Sequence, residues 1–500
     1  MKAEERTTVL VDGGSVNPTP FSARRLAVKP LVSLSDLDDG GARALIVLAG
    51  ALPSDEGRLD LVKRLRRLAA SSAQRGILVI VVTKRGEEAI GQAVARSGAG
   101  VLAQWQEHTG VVLRQLAVLP DSDWDNIAET CARCRCGPSL NSSLAIRDKN
   151  GNELPTPLLP ELELLFRRAF HDYSGILISE ENGGKSSSSV WKVETEGLEQ
   201  HTPFIVKSGP AAVMEEHINT YRDVVADRVP YRGCAPLCLD RCVVGSEHQL
   251  AVSRFVENAI RLDKVVINRD VKEVIQAIYR TVLGRWRKDP ERKRLDLLQE
   301  FLPAARHDAY LKGLERTYDK LTKDSYAGAS PRSFFVRLAG LQAEQHPVCR
   351  AHDDLNLRNV FVCGGDAEAV LIDFTRAARR PLSHDVARLE IGLAFDAELQ
   401  ADQPLPEQVL DDFYSGDLFA MSLKHLLQGK KAQYRLNAIV ALRTTILEEG
   451  QSHSFDLRRE YTIAICVGLL YYAKGKSSDA AIAYKCAVDL LDRVTNPSLW

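Results

Sequence analysis

Five hundred residues, at roughly 100–200 per domain, suggest two to four domains. With 45% apolar and 26% charged residues, the composition excludes wholesale disorder, collagen-like sequence and a coiled-coil rod. Sixty-five basic against sixty-six acidic side chains give a formal charge of −1, so no global field draws the chain onto nucleic acid or an anionic membrane. The stretch MKAEERTTVLVDGG lacks the apolar core of a secretory signal. The apolar run from Tyr461 to Ala473 is thirteen residues, short of the about twenty that span a bilayer, and predicts a buried helix. A cytoplasmic protein is expected.

The first 115 residues alternate strand-like and helix-like segments. Thr7 to Val11 is a short β-branched run that ends at Asp12-Gly13-Gly14. Ala44 to Leu48 and Ile77 to Val82 are uniform apolar runs that predict buried strands, and Leu59, Val62, Leu65 and Leu68 recur at helical spacing between them. A helix pattern runs from Glu87 to Arg96, Gly98-Ala99-Gly100 stops it, and Val101-Leu102 begins another strand. Such alternation implies a parallel sheet covered on both faces. Residues 116–160 are dense in breakers, with Pro120, Asp121-Ser122-Asp123, Gly137-Pro138, Asn150-Gly151-Asn152 and prolines at 155, 157 and 160, and predict a linker. Two cysteine sets stand out: Cys131, Cys134 and Cys136, and Cys234, Cys238 and Cys242. Neither has the fourth ligand or the paired spacing of a zinc site, so reduced thiols are expected.

Tyr173 to Ser179 and Val190 to Val193 predict a hairpin around a Gly/Ser turn that contains Gly183, Gly184, Ser186 and Ser187. Glycines and small hydroxyls let backbone amides approach phosphate oxygens. Gly184-Lys185-Ser186 imitates the end of a Walker A loop, but Ser179 replaces its first glycine and a strand rather than a helix follows. Phe204-Ile205-Val206-Lys207 is a strand ending in lysine, twenty-three residues beyond Gly184, the arrangement that pairs nucleotide phosphates. The helix after it places Met214, Ile218, Tyr221 and Val225 on one face and offers Glu215 or Glu216 to Lys207. Cys242 to Ser246 and Gln249 to Val256 predict further strands, with Phe255 to Asn258 as a hinge, and helical patterns dominate from Val271 onwards. The basic runs Arg285–Lys288 and Arg292–Arg294 are interrupted by acids and predict a solvated helix end.

The most informative segment is AHDDLNLRNVFVCGGDAEAVLIDFTRA, Ala351 to Ala377. His352, Asp354 and Asn359 stand as H-x-D-L-x-x-x-N, and Asp373 follows Asn359 by fourteen residues at the end of a strand-like run. Phosphoryl transfer needs metal ions on the nucleotide phosphates and a carboxylate to take the proton of the attacking hydroxyl. Asp354 fits the base, Asn359 and Asp373 fit magnesium ligands, and His352 fits a residue that holds the loop. A polar turn before a capped strand would use the same residue types, but not this ordered set over twenty-two positions.

Two family resemblances follow. HDDLNLRNVFV, LIDFTRA and SHDVARLE resemble the catalytic loop, metal strand and following helix of aminoglycoside/choline-type phosphotransferases, which have the protein-kinase-like fold. The segment is especially similar to kinase-like domains of bacterial ternary-complex signalling and conflict systems. That family commonly has glycine where this chain has Asp353. The resemblance implies ATP and Mg2+ as cofactors, a hydroxyl acceptor, and Glu216 rather than Glu215 as the partner of Lys207. In front, VLVDGG, ALIVLAGALPSDEG, ILVIVVT and AVARSGAGVLAQW resemble a flavodoxin-like receiver domain. The phosphate-accepting aspartate is replaced by Ala49 and the conserved lysine by Gln104 or a neighbour, Thr83 stands at the switch hydroxyl, and Asp12 alone remains of the acidic cluster. This implies a pseudoreceiver that binds a protein partner. The expected organisation is an α/β receiver-like domain over 1–115, a linker over 116–160, and an α+β two-lobed kinase-like domain with an N-lobe over 161–257 and a helical C-lobe over 258–500. The expected function is ATP-dependent phosphotransfer to a hydroxyl. The alternative is a nucleotide-binding pseudokinase that acts as a signalling adaptor.

Overall fold

The structure is a computed structural model that describes residues 8–496 except 34–35, 37–41, 51, 76, 100–106, 109–110, 113–115, 134–140, 182–187, 197–202, 244–247, 324, 364–367, 403, 421–429 and 476–478. The chain forms two compact units, Met1–Asn219 with Pro236–Phe255, and Thr220–Ala235 with Val256–Trp500. Among the described residues no helix is long and apolar enough to cross a membrane.

The first unit opens with a parallel sheet of β1 (Thr8–Asp12), β2 (Ala27–Pro30), β3 (Ala42–Leu48), β4 (Leu78–Thr83) and β5 (Leu116–Pro120), in the order β2-β1-β3-β4-β5. The order reverses direction between β1 and β3, as in doubly wound sheets. Strand alternation divides the core into two layers. Leu45, Val47, Val79 and Val81 pack with Leu61, Leu65 and Leu68 of helix α1 (Asp55–Arg75). Val9, Val11, Ile46 and Ile80 pack on the other face with Phe21, Ile127 and Cys131. Both faces are thus covered, which is why these strands read as unbroken apolar runs. The helical stripe includes Leu61 rather than Leu59, which is exposed.

The fifth strand is Leu116–Pro120, in register with Val79–Thr83; the expected strand at Val101-Leu102 and Gln104 lie outside the described residues. Pro120 ends the fifth strand and Asp123 caps a helix, its carboxylate accepting from Asn126 N at 3.0 Å. That helix, Trp124–Arg133, supplies the buried Ile127, Ala128 and Cys131.

At the carboxyl end of this sheet the Arg64 guanidinium donates to Asp12 Oδ2 at 2.9 Å, to Asp12 O at 2.9 Å and to Leu48 O at 2.7 Å. Gly13 has φ +94°, and a Cβ there would lie 2.2 Å from Arg64 Nη2. Only glycine fits both the backbone and the guanidinium. Arg64→Met is expected to lower stability by about 1–3 kcal/mol, because it removes charged hydrogen bonds from a mostly buried carboxylate. Urea unfolding checks this, and an unchanged midpoint would contradict it.

A second sheet in this unit contains β6 (Ala145–Asp148), β7 (Gly175–Glu180), β8 (Ser189–Glu196), β9 (Phe204–Pro210) and β10 (His248–Arg254), in the order β10-β9-β8-β7-β6. The pair β6–β7 is parallel and the others are antiparallel. Phe166, Phe170, Phe204, Val193 and Val206 form its core. β6 lies inside the stretch expected as a linker, and Asn150-Gly151-Asn152 closes a turn on Asp148 at the end of this strand.

The second unit is mainly helical. Its large core takes in the predicted buried helix, here α2 (Arg458–Ala473), and α3 (Ala480–Val494). Two three-stranded sheets frame the segment of interest: β11 (Glu291–Leu295), β12 (Glu344–Ala351) and β13 (Ala378–Pro381) in one, and Ala259–Arg261 with β14 (Val360–Cys363) and β15 (Glu368–Leu371) in the other. The basic runs are not a solvated helix end. Trp286 and Arg287 are buried, Arg287 pairs with Glu449, and Glu291–Leu295 is a strand against β12.

Candidate active site

β12 delivers the chain into the catalytic-loop segment, and the loop is held by one buried carboxylate. Asp385, fully buried in the first turn of helix α4 (His384–Phe395), accepts from His352 N at 2.7 Å and Asp353 N at 3.1 Å. The buried His352 ring donates from Nε2 to Ile372 O at 2.9 Å and packs on Phe374 with centroids 4.7 Å apart. His352 therefore ties the loop to the segment that carries Asp373.

Asp353 has φ +59°, a conformation that glycine adopts freely and aspartate tolerates. This accounts for the glycine of the resembled family at this position. Its carboxylate accepts from Arg380 at 2.8 Å and lies 2.8 Å from His384 Nε2. Burial pushes the Asp353 carboxyl up, but His384 and Arg380 outweigh it and hold it well below the usual carboxylate range. Asp353 is thus an ionised brace of the loop.

Asp354 follows, partly exposed, with Arg388 donating to its Oδ1 at 2.5 Å and to Asp353 O at 3.3 Å. Asp385 and Arg388 are three residues apart on one helix and share a face, so α4 grips the loop at two points. The Asp354 carbonyl accepts Asn359 Nδ2 at 2.9 Å. That bond commits the amide nitrogen and leaves Oδ1 as the atom for a cation. β14 and β15 pair Val360 with Leu371, and Ile372 N donates to Asn359 O at 3.0 Å, which sets Asn359 beside the start of the Asp373 turn. Asp373 itself has φ +60° and accepts from Thr375 Oγ1.

The structure thus gathers His352, Asp354, Asn359 and Asp373 at one loop and one hairpin end. One amide oxygen and one carboxylate suit Mg2+, which keeps waters and phosphate oxygens in its remaining positions. Among the described residues no group of three or more His, Cys, Asp or Glu is placed to hold a metal. Burial pushes the thiols of Cys234 and Cys242 up to about 11 and about 12, while Cys134 and Cys136 lie outside the described residues.

In the first unit, Lys207 stands in β9 opposite Val190 and Ala251. Gly183, Gly184, Ser186 and Ser187 lie outside the described residues. The expected pairing of Lys207 with Glu216 is not formed: among the described residues neither Glu215 nor Glu216 makes an ion pair, and both are exposed. The helix Ala211–Thr220 turns Met214 and Ile218 inward, which carries 215 and 216 to its outer side.

Asp385 lay within the SHDVARLE resemblance. His384 and Arg388 stand in the same motif and Arg380 outside it, and none of the three was singled out as a partner of the loop, because their bonds to it join segments at least 27 residues apart.

The family model described as Ternary complex associated domain 9 matches residues 268–462, which include the whole segment. No curated protein matches the chain. Among solved structures it is similar to a glucosamine kinase in complex with glucosamine, ADP and inorganic phosphate, at 13% identity over 69% of this chain and 86% of that chain, with TM-score 0.36. It is also similar to a Plasmodium vivax ethanolamine kinase, at 9% identity over 65% and 82%, with TM-score 0.30. A choline kinase from Cryptosporidium parvum Iowa II is similar at 8% identity over 64% and 87%, with TM-score 0.30. The matched family model fits the resemblance drawn from HDDLNLRNVFV and LIDFTRA.

Proposed function

We propose that this chain is an ATP-dependent phosphotransferase that moves the γ-phosphoryl group to a hydroxyl acceptor. The observation that carries the reading is the joint placement of Asp354, Asn359 and Asp373 around one loop held by Asp385. Asp354 takes the proton of the acceptor hydroxyl as its oxygen bonds to the γ-phosphorus, and the bond to the β-γ bridging oxygen breaks to release ADP. Asn359 Oδ1 and Asp373 would hold Mg2+, which would supply charge neutralisation at the phosphates. In this reading Lys207, in strand β9 between β8 and β10, receives nucleotide phosphates.

The parallel sheet at the N-terminus acts in this reading as a receiver-like interaction module that binds a protein partner in bacterial signalling. Its 2-1-3-4-5 strand order and the alanine at position 49, directly after β3, support a module without phosphotransfer chemistry. A second reading, a nucleotide-binding adaptor, is favoured by one observation: Arg388 already occupies Asp354.

Thermal shift with ATP, with and without magnesium, on the wild type and Asp373→Ala tests the site. Binding at a hundredfold excess over Kd adds about 2.7 kcal/mol of stability. The expected result is magnesium-dependent stabilisation that Asp373→Ala loses; no stabilisation by any nucleotide would overturn the reading. Steady ADP release with an acceptor then separates the enzyme from the adaptor.

A further inference from the structure

A general base needs one open oxygen with a fixed direction, and the Asp354 carboxylate has both. Arg388 donates from Nη2 to Oδ1 at 2.5 Å and from Nη1 to the Asp353 carbonyl at 3.3 Å. The guanidinium thus spends its second nitrogen on the loop backbone and not on the second carboxylate oxygen. Among the described residues Oδ2 has no partner, and it is not sealed in the interior, since the Asp354 side chain is 28% exposed. The pair holds the base by one oxygen and leaves the other open.

A carboxylate held by nothing turns broadly about χ2, and the bond to Oδ1 takes that freedom away. A planar fork set on two acceptors is itself fixed in orientation. The Asp354 backbone is tied as well, its carbonyl accepting Asn356 Nδ2 at 3.0 Å and Asn359 Nδ2 at 2.9 Å. Behind Arg388 the anchor is firm. It stands three residues after Asp385, which takes the His352 and Asp353 amides, and two before the buried Glu390, which takes Arg443 at 2.7 Å. Arginine stays protonated in proteins, so Arg388 can hold the carboxylate but cannot receive a proton.

Resting on the phosphotransferase reading, we propose that Arg388 is a positioning residue that aims Oδ2 of Asp354 at the acceptor, and that Oδ2 is the atom that takes the hydroxyl proton. As the acceptor oxygen bonds to the γ-phosphorus and the bond to the bridging oxygen breaks, the proton passes to Oδ2. The carboxylate becomes a neutral acid still held through Oδ1, and the guanidinium keeps its charge. The ion pair is then part of the working arrangement and not a block on the base.

The test follows steady ADP release from ATP and magnesium by the full chain, with water and, separately, glycerol as acceptor, on the wild type, Arg388→Ala and Arg388→Lys. Arg388→Ala is expected to lower kcat by roughly ten- to a hundredfold, the scale of one charged hydrogen bond, with KM for ATP changed by less than about twofold. Arg388→Lys should keep part of kcat, because an ammonium reaches one acceptor without the fork that joins two. Guanidinium ion at a non-denaturing concentration should restore part of kcat to Arg388→Ala and none to Asp354→Ala, a rescue that a disordered loop does not give. Unchanged or faster turnover in Arg388→Ala, or a loss that neither lysine nor guanidinium repairs, overturns the inference and leaves the phosphotransferase reading standing. A wild type that binds ATP yet releases no ADP to either acceptor removes that reading, and the inference falls with it.

Discussion

Asp354→Ala is expected to lower phosphoryl transfer by about 10²–10⁴-fold, the usual worth of a positioned general base, while ATP binding changes little. The Asn359 amide is oriented by the Asp354 backbone carbonyl, while the Asp354 carboxylate takes the Arg388 guanidinium. Alanine keeps that carbonyl, so the cation ligands stay in place. Two readouts separate the roles: ADP release under saturating ATP should collapse, and magnesium-dependent stabilisation by ATP should persist. Equal turnover in the variant would remove Asp354 from the chemistry. Loss of nucleotide binding alongside turnover would show instead that the loop has come apart. Asp354→Ala also frees Arg388, so a new pairing of that guanidinium is the alternative cause to check.

The second large effect concerns stability. Helix α4, which grips the loop through Asp385 and Arg388, is itself fixed to the core by a buried pair. Arg443 donates to Glu390 at 2.7 Å and to Leu418 O at 2.8 Å, and the Tyr461 hydroxyl donates to the same carboxylate. Glu390 is fully buried and Arg443 is 3% exposed. Removing one member leaves the other charge without compensation, so Glu390→Leu and Arg443→Met are each expected to cost about 3–5 kcal/mol. The double substitution should recover much of that loss, since apolar pairs of similar volume replace buried ion pairs with little penalty. Denaturant unfolding of the four proteins measures the cycle. Single losses below about 1 kcal/mol would mean that water reaches the pair.

The site was legible in the sequence where its chemistry is contiguous. His352, Asp354, Asn359 and Asp373 lie within one segment, and a hairpin of two short strands is all that brings the last two together. The contacts that tune the loop were not legible. Arg388, Arg380 and His384 reach it only because α4 and β13 return beside β12, which no spacing announces. The parallel sheet was legible as uniform apolar runs. Leu116–Pro120 was not read as one of its strands because it is short and ends in proline, so its breakers outweighed its apolar content. The basic run around Trp286 misled for a related reason. An arginine with a carboxylate waiting inside the fold has the same letter as one in solvent.

The chain passes between its two compact units at 219/220, 235/236 and 255/256, and this governs how the protein can be taken apart. Two bodies joined by a single crossing separate with one peptide cleavage, and each half keeps all its own parts. Here three crossings interleave the halves. A fragment that stops at Asn219 lacks His248–Arg254, the strand that pairs with Phe204–Pro210 along its whole length, and leaves the Lys207 strand as a bare edge open to aggregation. A fragment that begins at Val256 lacks Val225, Val229 and Cys234, which belong to the second core. A single cut therefore leaves at least one unit incomplete: the first at 219/220, the second at 255/256, and both at 235/236. No one cut between the strand bearing Lys207 and the loop bearing Asp354 leaves both of them in complete units.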